Sequence, residues 1–208
     1  MTLVGPLART RDTVRAQLLD NLKSSGPEEL HSLAEELETL AALPATSDFH
    51  LLGLRGSWSE QLQSARSISP EDAVPELTAS QRELVRVDEV VQHFEEGVLR
   101  SVAAFHVPSE AISGSLEVQA TVYPTTMSNM LHLLTTGHTL SLTRTPTEVP
   151  LPELLEALMG RLSPEFRAEE GVRLGMQTSY IDEELRISRC TTRHLAGFLT
   201  VHSRCPAQ

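Results

Sequence analysis

No stretch of this sequence approaches the roughly 20 consecutive apolar residues that a helix needs to cross a bilayer. Charge interrupts its apolar runs within a few residues, so any membrane contact is expected to be peripheral. Cysteine is scarce: Cys190 and Cys205 cannot build a disulfide framework, and a hairpin turning around Thr191 to His194 would leave them out of register, so no bridge is expected. Basic residues are also outnumbered, 17 Lys and Arg against 28 Asp and Glu, and the formal net charge of −11 opposes phosphate backbones. Nucleic acid is therefore not an expected partner. Glycine never falls in a GxGxxG pattern, which removes the usual phosphate cradle, and neither Ser57 nor Ser64 sits in a GxSxG elbow. Of the eight histidines the closest pair, His132 and His138, has neither a helical nor a finger spacing and no Cys or Asp cluster beside it, so no metal is expected. The adjacent acids Asp182, Glu183 and Glu184 read as a solvated turn and not as an acid and base pair.

What is present is ordinary in amount and regular in pattern. Apolar residues make up 40% and charged residues 22% of 208, the size of one domain that buries roughly 70% of its unfolded surface. The N-terminus carries Arg9, Arg11 and Arg15 but no apolar core of a secretory signal, and Asp12 and Asp20 argue against a transit peptide. Val14, Leu18, Leu19 and Leu22 recur at helical spacing between Thr13 and Leu22. After Ser24 to Gly26, Pro27 is placed to open a second helix, with Glu28 and Glu29 at its positive end and a stripe of Leu30, Leu33, Leu37, Leu40 and Leu43 running to Pro44. Two such helices cannot stand alone, so residues 1–46 are expected to pack as a helical hairpin on whatever follows.

From residue 47 onward alternation replaces helical spacing. Strands are predicted at Leu54 to Gln63, Leu84 to His93, Val98 to Val107, Leu116 to Tyr123, His138 to Arg144, Val172 to Ile181, Leu185 to Cys190 and Phe198 to His202, with a further one near Met127 to Leu134. Short strands joined by short connections predict a meander closed into a barrel over residues 47–208. Two interruptions are expected: a long loop from Ser67 to Ser80, and a helix from Leu151 to Leu162, begun by Pro150 or Pro152 and ended at Gly160. The fold class is thus mainly β (α+β), an antiparallel barrel with two leading helices and one helix inserted between late strands.

Two segments carry specific information. Gly56-Ser57-Trp58 opens the first barrel strand and holds the single tryptophan. Near the other end stands Thr178-Ser179-Tyr180-Ile181-Asp182-Glu183-Glu184-Leu185-Arg186-Ile187-Ser188-Arg189. This closely resembles the C-terminal motif of the plastid-lipid-associated protein (fibrillin) family, which runs Thr-Thr-Tyr-Leu-Asp-Glu-Asp-Leu-Arg-Ile-Ser-Arg-Gly. A leading helical segment, the Gly56-x-Trp58 strand and Val90-Val91-Gln92 before a turn at Gly97 fall in the family's order, so the resemblance spans nearly the whole chain. It implies a lipocalin-like barrel in which an arginine from a late strand lies over the indole at the closed end, an arrangement worth about 1–2 kcal/mol when desolvated. Arg186 or Arg189 would take that place; the alternative leaves both in solvent on the outer face. The signature residues are then Gly56, Trp58, Glu60, Gln92, Tyr180, Asp182, Arg186 and Arg189.

The sequence also departs from the pattern. Glu60 stands where the family has an aliphatic residue, and alternation puts it on the same side as Trp58, where a buried pair with Arg186 or Arg189 would explain it. Leu62 replaces tyrosine, Cys190 replaces glycine, and Thr191-Thr192-Arg193-His194 implies a wider last hairpin. The function implied by the resemblance is non-catalytic binding or sequestration of hydrophobic molecules such as prenyl lipids, carotenoids or quinones. No cofactor is expected, and the setting is a plastoglobule or thylakoid of a plastid, or else the cytoplasm or thylakoid surface of a cyanobacterium. Two rivals remain: a scaffold whose N-terminal helices dock a biosynthetic enzyme, and a lipocalin-like bilin lyase, for which Cys190 is the candidate thiol.

Overall fold

Thr10 starts the first helix in an extended conformation, its hydroxyl oxygen accepting the Thr13 amide at 3.3 Å. Helix α1 (Arg11–Asn21) then buries Val14 and Leu18, and α2 (Pro27–Leu40), capped by Gly26, buries Leu30, Leu33, Ala34 and Leu37. The chain is seen as a computed structural model that describes residues 9–22, 24–41, 47–65, 78–192, 195–196 and 198–206. Helix α2 ends at Leu40, short of the predicted Pro44, and Ala41 already has an extended backbone. The structure adds a helix that apolar spacing does not reveal, α3 (Ser47–Leu54); the first strand consequently begins at Gly56 and not at Leu54.

Eight strands follow: β1 (Gly56–Ala65), β2 (Arg86–Glu95), β3 (Val98–Val107), β4 (Ile112–Pro124), β5 (Met130–Leu142), β6 (Arg173–Ile181), β7 (Leu185–Cys190) and β8 (Phe198–Arg204). Each pairs antiparallel with the next and β8 pairs back with β1, closing an up-and-down barrel. The two strands expected between Met127 and Arg144 are one. A bulge lets Gln119 face Gly137 while Ala120 faces Thr135, so β5 keeps running through the glycine that reads as a break. Most of the expected Ser67 to Ser80 loop lies outside the described residues; its last two residues open a short helix, α4 (Ala79–Leu84), set by a capping box between Thr78 and Gln81. The inserted helix, α5 (Leu151–Met159), stops at Gly160, and a four-residue helix that the pattern does not show, α6 (Pro164–Arg167), follows it. Residues 193, 194 and 197 of the last hairpin lie outside the described residues.

Apolar side chains gather in three groups. Leu154, Ala157, Leu158, Leu162 and Phe166 from the insert fill one end of the barrel against Val90, Ala103, Phe105 and Val118. At the other end Leu54 of α3 joins Trp58, Phe94, Leu99, Val122, Leu131 and Leu174. Outside the barrel, Val14, Leu18, Leu30, Leu33 and Leu37 cover Leu62, Tyr180, Leu185, Ile187, Leu199 and Val201 of β1, β6, β7 and β8. Each fully buried aliphatic side chain here contributes about 1.5–3 kcal/mol.

Candidate functional site: a polar layer inside the barrel

The two interior apolar groups are separated by polar side chains, and strand alternation puts them there. Along β2, Val90 belongs to one apolar end and Phe94 to the other, with Gln92 between them; along β3, Leu99 and Ala103 flank Ser101 in the same way. Register does the rest. Gln92 faces Trp58 on one side and Ser101 on the other, while Arg186 and Glu60 both face His202. Gln92, Ser101, Arg186, Ser188 and His202 are all at most 2% exposed.

Trp58 is fully buried and donates its indole N–H to the Leu54 carbonyl of α3 at 2.8 Å. Two guanidiniums lie over its ring, Arg204 at 4.2 Å and Arg186 at 5.4 Å from the centroid. Arg186 also lies 5.0 Å from the Phe94 centroid. The arginine nearest the indole is thus one that the sequence motif does not contain. Arg204 reaches it because β8 pairs with β1 at Trp58, and its donors hold the carbonyls of Gly53, Arg55 and Glu183. Gly56 makes room: its φ is +103°, and a Cβ there would lie 3.1 Å from Arg204 Nη1.

Arg189 is elsewhere. It is on the outer face of β7 and donates through Nε and Nη2 to both carboxylate oxygens of Glu38 on α2, at 2.6–3.2 Å. Tyr180 and Asp182 are also outside the barrel. Tyr180 Oη donates to Asp182 at 2.6 Å, the same carboxylate accepts the Glu184 and Leu185 amides at 2.8 Å, and Arg15 of α1 donates to it at 2.5 Å. Burial alone would push the Asp182 carboxyl up, but Arg15, Tyr180 and the turn amides outweigh it and hold it below the usual range. The motif at 178–189 is therefore split by alternation. Arg186 and Ser188 face inward, and Tyr180, Asp182 and Arg189 fasten the helical hairpin to the wall.

Glu60 is inside, with its side chain about nine-tenths buried. Its pairing differs from the expected one: its near titratable neighbour is the His202 ring, 3.9 Å away, and Arg186 acts on it only through space. Burial, then the charge of Glu165, pushes the Glu60 carboxyl up to about 8, while Ser163 and Arg186 pull the other way. Arg186 instead donates from Nη2 to the Gln92 carbonyl oxygen. Leu62 does not follow Glu60 inward, because a bulge between them turns it out toward α1 and α2.

The central acceptor is Glu165 of α6. Its Oε1 accepts from Gln92 Nε2, from Ser101 Oγ at 3.3 Å and from Ser163 Oγ at 2.9 Å. Two buried histidines border the layer. His50 of α3 meets Thr178 Oγ1 at 2.7 Å, and burial with Arg186 nearby lowers it to about 4. The same two causes hold His202 well below its ordinary value, so both rings are neutral at pH 7. Among the described residues, several donors and acceptors in the layer find no hydrogen-bond partner: Arg186 Nε and Nη1, Ser188 Oγ, Glu60 Oε2 and both His202 ring nitrogens. Of these, Ser188 borders a cavity of about 20 Å³, walled by Leu133, Leu174, Met176 and Phe198 and bounded on another side by Glu165. That is room for about one water molecule.

Glu165, His202 and His50 carry no motif, and nothing in the sequence around Pro164 marks a residue that enters a barrel. Arg204 had a signal, since a strand at Phe198 in a closed barrel must pair with the first one. Cys190 also lines the cavity; burial pushes its thiol up, away from the thiolate a nucleophile needs. Cys190 and Cys205 are both free.

These features define a class, the lipocalin-like closed antiparallel barrel with helices at its ends and flank. No family model matches the sequence, and comparison with curated proteins finds no match.

Proposed function

We propose that this chain binds or sequesters hydrophobic small molecules without catalysis, in the manner its resemblance to the plastid-lipid-associated proteins implies. The single observation that carries the reading is the meeting of a spare polar atom and an apolar wall in one partly open cavity. Ser188 Oγ, buried and without a partner, borders a cavity lined by Leu133, Leu174, Met176 and Phe198. An apolar tail with a small oxygen-bearing head suits such a mixture. Prenyl lipids, carotenoids and quinones are the candidates, and a plastid or cyanobacterial lipid surface is the proposed setting.

At about 20 Å³ the cavity is far smaller than the several hundred Å³ that such a ligand fills, so uptake requires part of the wall to move. Pro164 and Glu165 of the insert are the part of that wall not held by strand pairing. The scaffold reading is favoured by a different observation, the dense filling of the interior by Trp58, Phe105, Phe166 and Arg186. Adding a plastoquinone analogue or an apolar pigment separates the two: a carrier quenches Trp58 emission saturably at one ligand per chain, and a scaffold leaves it unchanged. Solvent extraction of the purified protein followed by mass spectrometry should release a prenyl lipid or pigment at near-stoichiometric yield. Recovery of none, together with no quenching, would sink the carrier reading.

A further inference from the structure

Among the described residues, Glu165 is the one carboxylate at the centre of the barrel that does not belong to the wall. It is supplied by α6, a single turn within the long insert between β5 and β6. Those two strands pair only over Met130–Leu134 and Arg173–Gln177, whereas β5 continues to Leu142; beyond Leu134 no β6 partner faces it. The donors that receive Glu165 from outside its own segment come from paired strands on the far wall, Gln92 on β2 and Ser101 on β3. Gln92 is itself oriented, because Arg186 Nη2 on β7 holds its carbonyl oxygen and thereby turns its amide nitrogen to the carboxylate. The wall thus presents a carboxylate seat, and two guanidinium nitrogens, Arg186 Nε and Nη1, remain without a hydrogen-bond partner among the described residues.

We propose that Glu165 occupies the seat of a ligand carboxylate, and that the molecule taken into this barrel is a long-chain carboxylate whose head displaces Glu165 while its tail lies along Leu133, Leu174, Met176 and Phe198. This rests on the carrier reading and differs from it in the head, which is charged where those of quinones and carotenoids are neutral. Charge balance favours the exchange: one carboxylate leaves the neighbourhood of Arg186 as another arrives, so the buried guanidinium never loses its counter-charge. A neutral head would leave it uncompensated once Glu165 moved. Glu165 and Pro164 already bound the cavity, so the same displacement that frees the seat also enlarges the space for the tail.

The test compares oleate with oleyl alcohol, which shares its tail and lacks its charge, by calorimetry and Trp58 emission on the whole chain. The wild-type protein should bind one oleate and bind the alcohol at least about tenfold more weakly. In Glu165→Gln, a near-isosteric change that removes the competing charge, oleate should bind about tenfold tighter, with the alcohol little changed. Gln92→Leu should weaken oleate selectively; if that variant fails to fold, the wild-type and Glu165→Gln comparison decides alone. Equal affinity for oleate and alcohol, or oleate binding that weakens in folded Glu165→Gln, would overturn the carboxylate seat while leaving an apolar carrier standing. Failure of both ligands to bind either protein overturns both readings.

Discussion

Glu60 shows how much a single side chain depends on its surroundings. In an unfolded chain it titrates as an ordinary carboxyl, but in the barrel it faces Glu165, Arg186 and His202 with little water, and its pKa is raised from 4.5 to about 8. A raised folded-state value means that the native protein holds a proton the unfolded chain has already lost. The stability tied to that proton is complete below about 4.5 and is lost as the pH rises through 8. His50 and His202 act in the opposite sense: held neutral, they cost stability as the pH falls below 6.5. Between pH 6.5 and 8.5 the Glu60 effect therefore dominates among these three. It predicts a loss of about 2 kcal/mol, or roughly 4–8 °C in Tm. Thermal melts across that range should show the fall in the wild-type protein and not in Glu60→Gln; parallel profiles would refute the assignment. At Gly56, where φ is +103° and Arg204 closes in to 3.1 Å, alanine should cost about 1 kcal/mol or more and shift Trp58 emission as Arg204 is moved off the ring.

At the scale of elements, the helical hairpin behaves as a cover for one side of the barrel and not as a separate unit. Its apolar stripe was legible because 3.6-residue spacing survives in any helix, but what it covers was not. The outward-facing Tyr180, Leu185, Ile187 and Val201 are unusually apolar for exposed strand positions, and α1 and α2 are the reason. Leu37→Ala should cost about 2–5 kcal/mol, read by urea titration, since the buried site lies between a helix and a rigid wall. The bidentate pair between Arg189 and Glu38 is half-buried, and a double-mutant cycle should give a coupling near 0.5–1 kcal/mol that shrinks in high salt. The insert differs. Helix α5 could be read from Leu151, Leu154, Leu155 and Leu158, but α6 is one turn long and leaves no periodicity to detect.

For the whole molecule, closure is the decisive event. Eight antiparallel ladders close the ring, and α1 and α2 share their core with β1, β6, β7 and β8. Unfolding followed by Trp58 emission, which reports the barrel end, and by far-ultraviolet circular dichroism, which weights the helices, should therefore give coincident transitions. An early loss of helix alone would show that the hairpin is only loosely attached.

The sequence by itself determined the periods: where α1, α2, α5 and most strands run, that the strands form an antiparallel meander, and, away from the bulges, which side of a strand a residue takes. Those properties are local, set by backbone geometry and the spacing of apolar side chains over a few residues. The tertiary structure alone decided which groups meet across the interior. Closing the ring brought Arg204 onto Trp58 and His202 beside Glu60, and the folding-in of a patternless turn carried Glu165 to Gln92. Such meetings depend on strand stagger and on a long insert, neither of which leaves a mark in neighbouring residues.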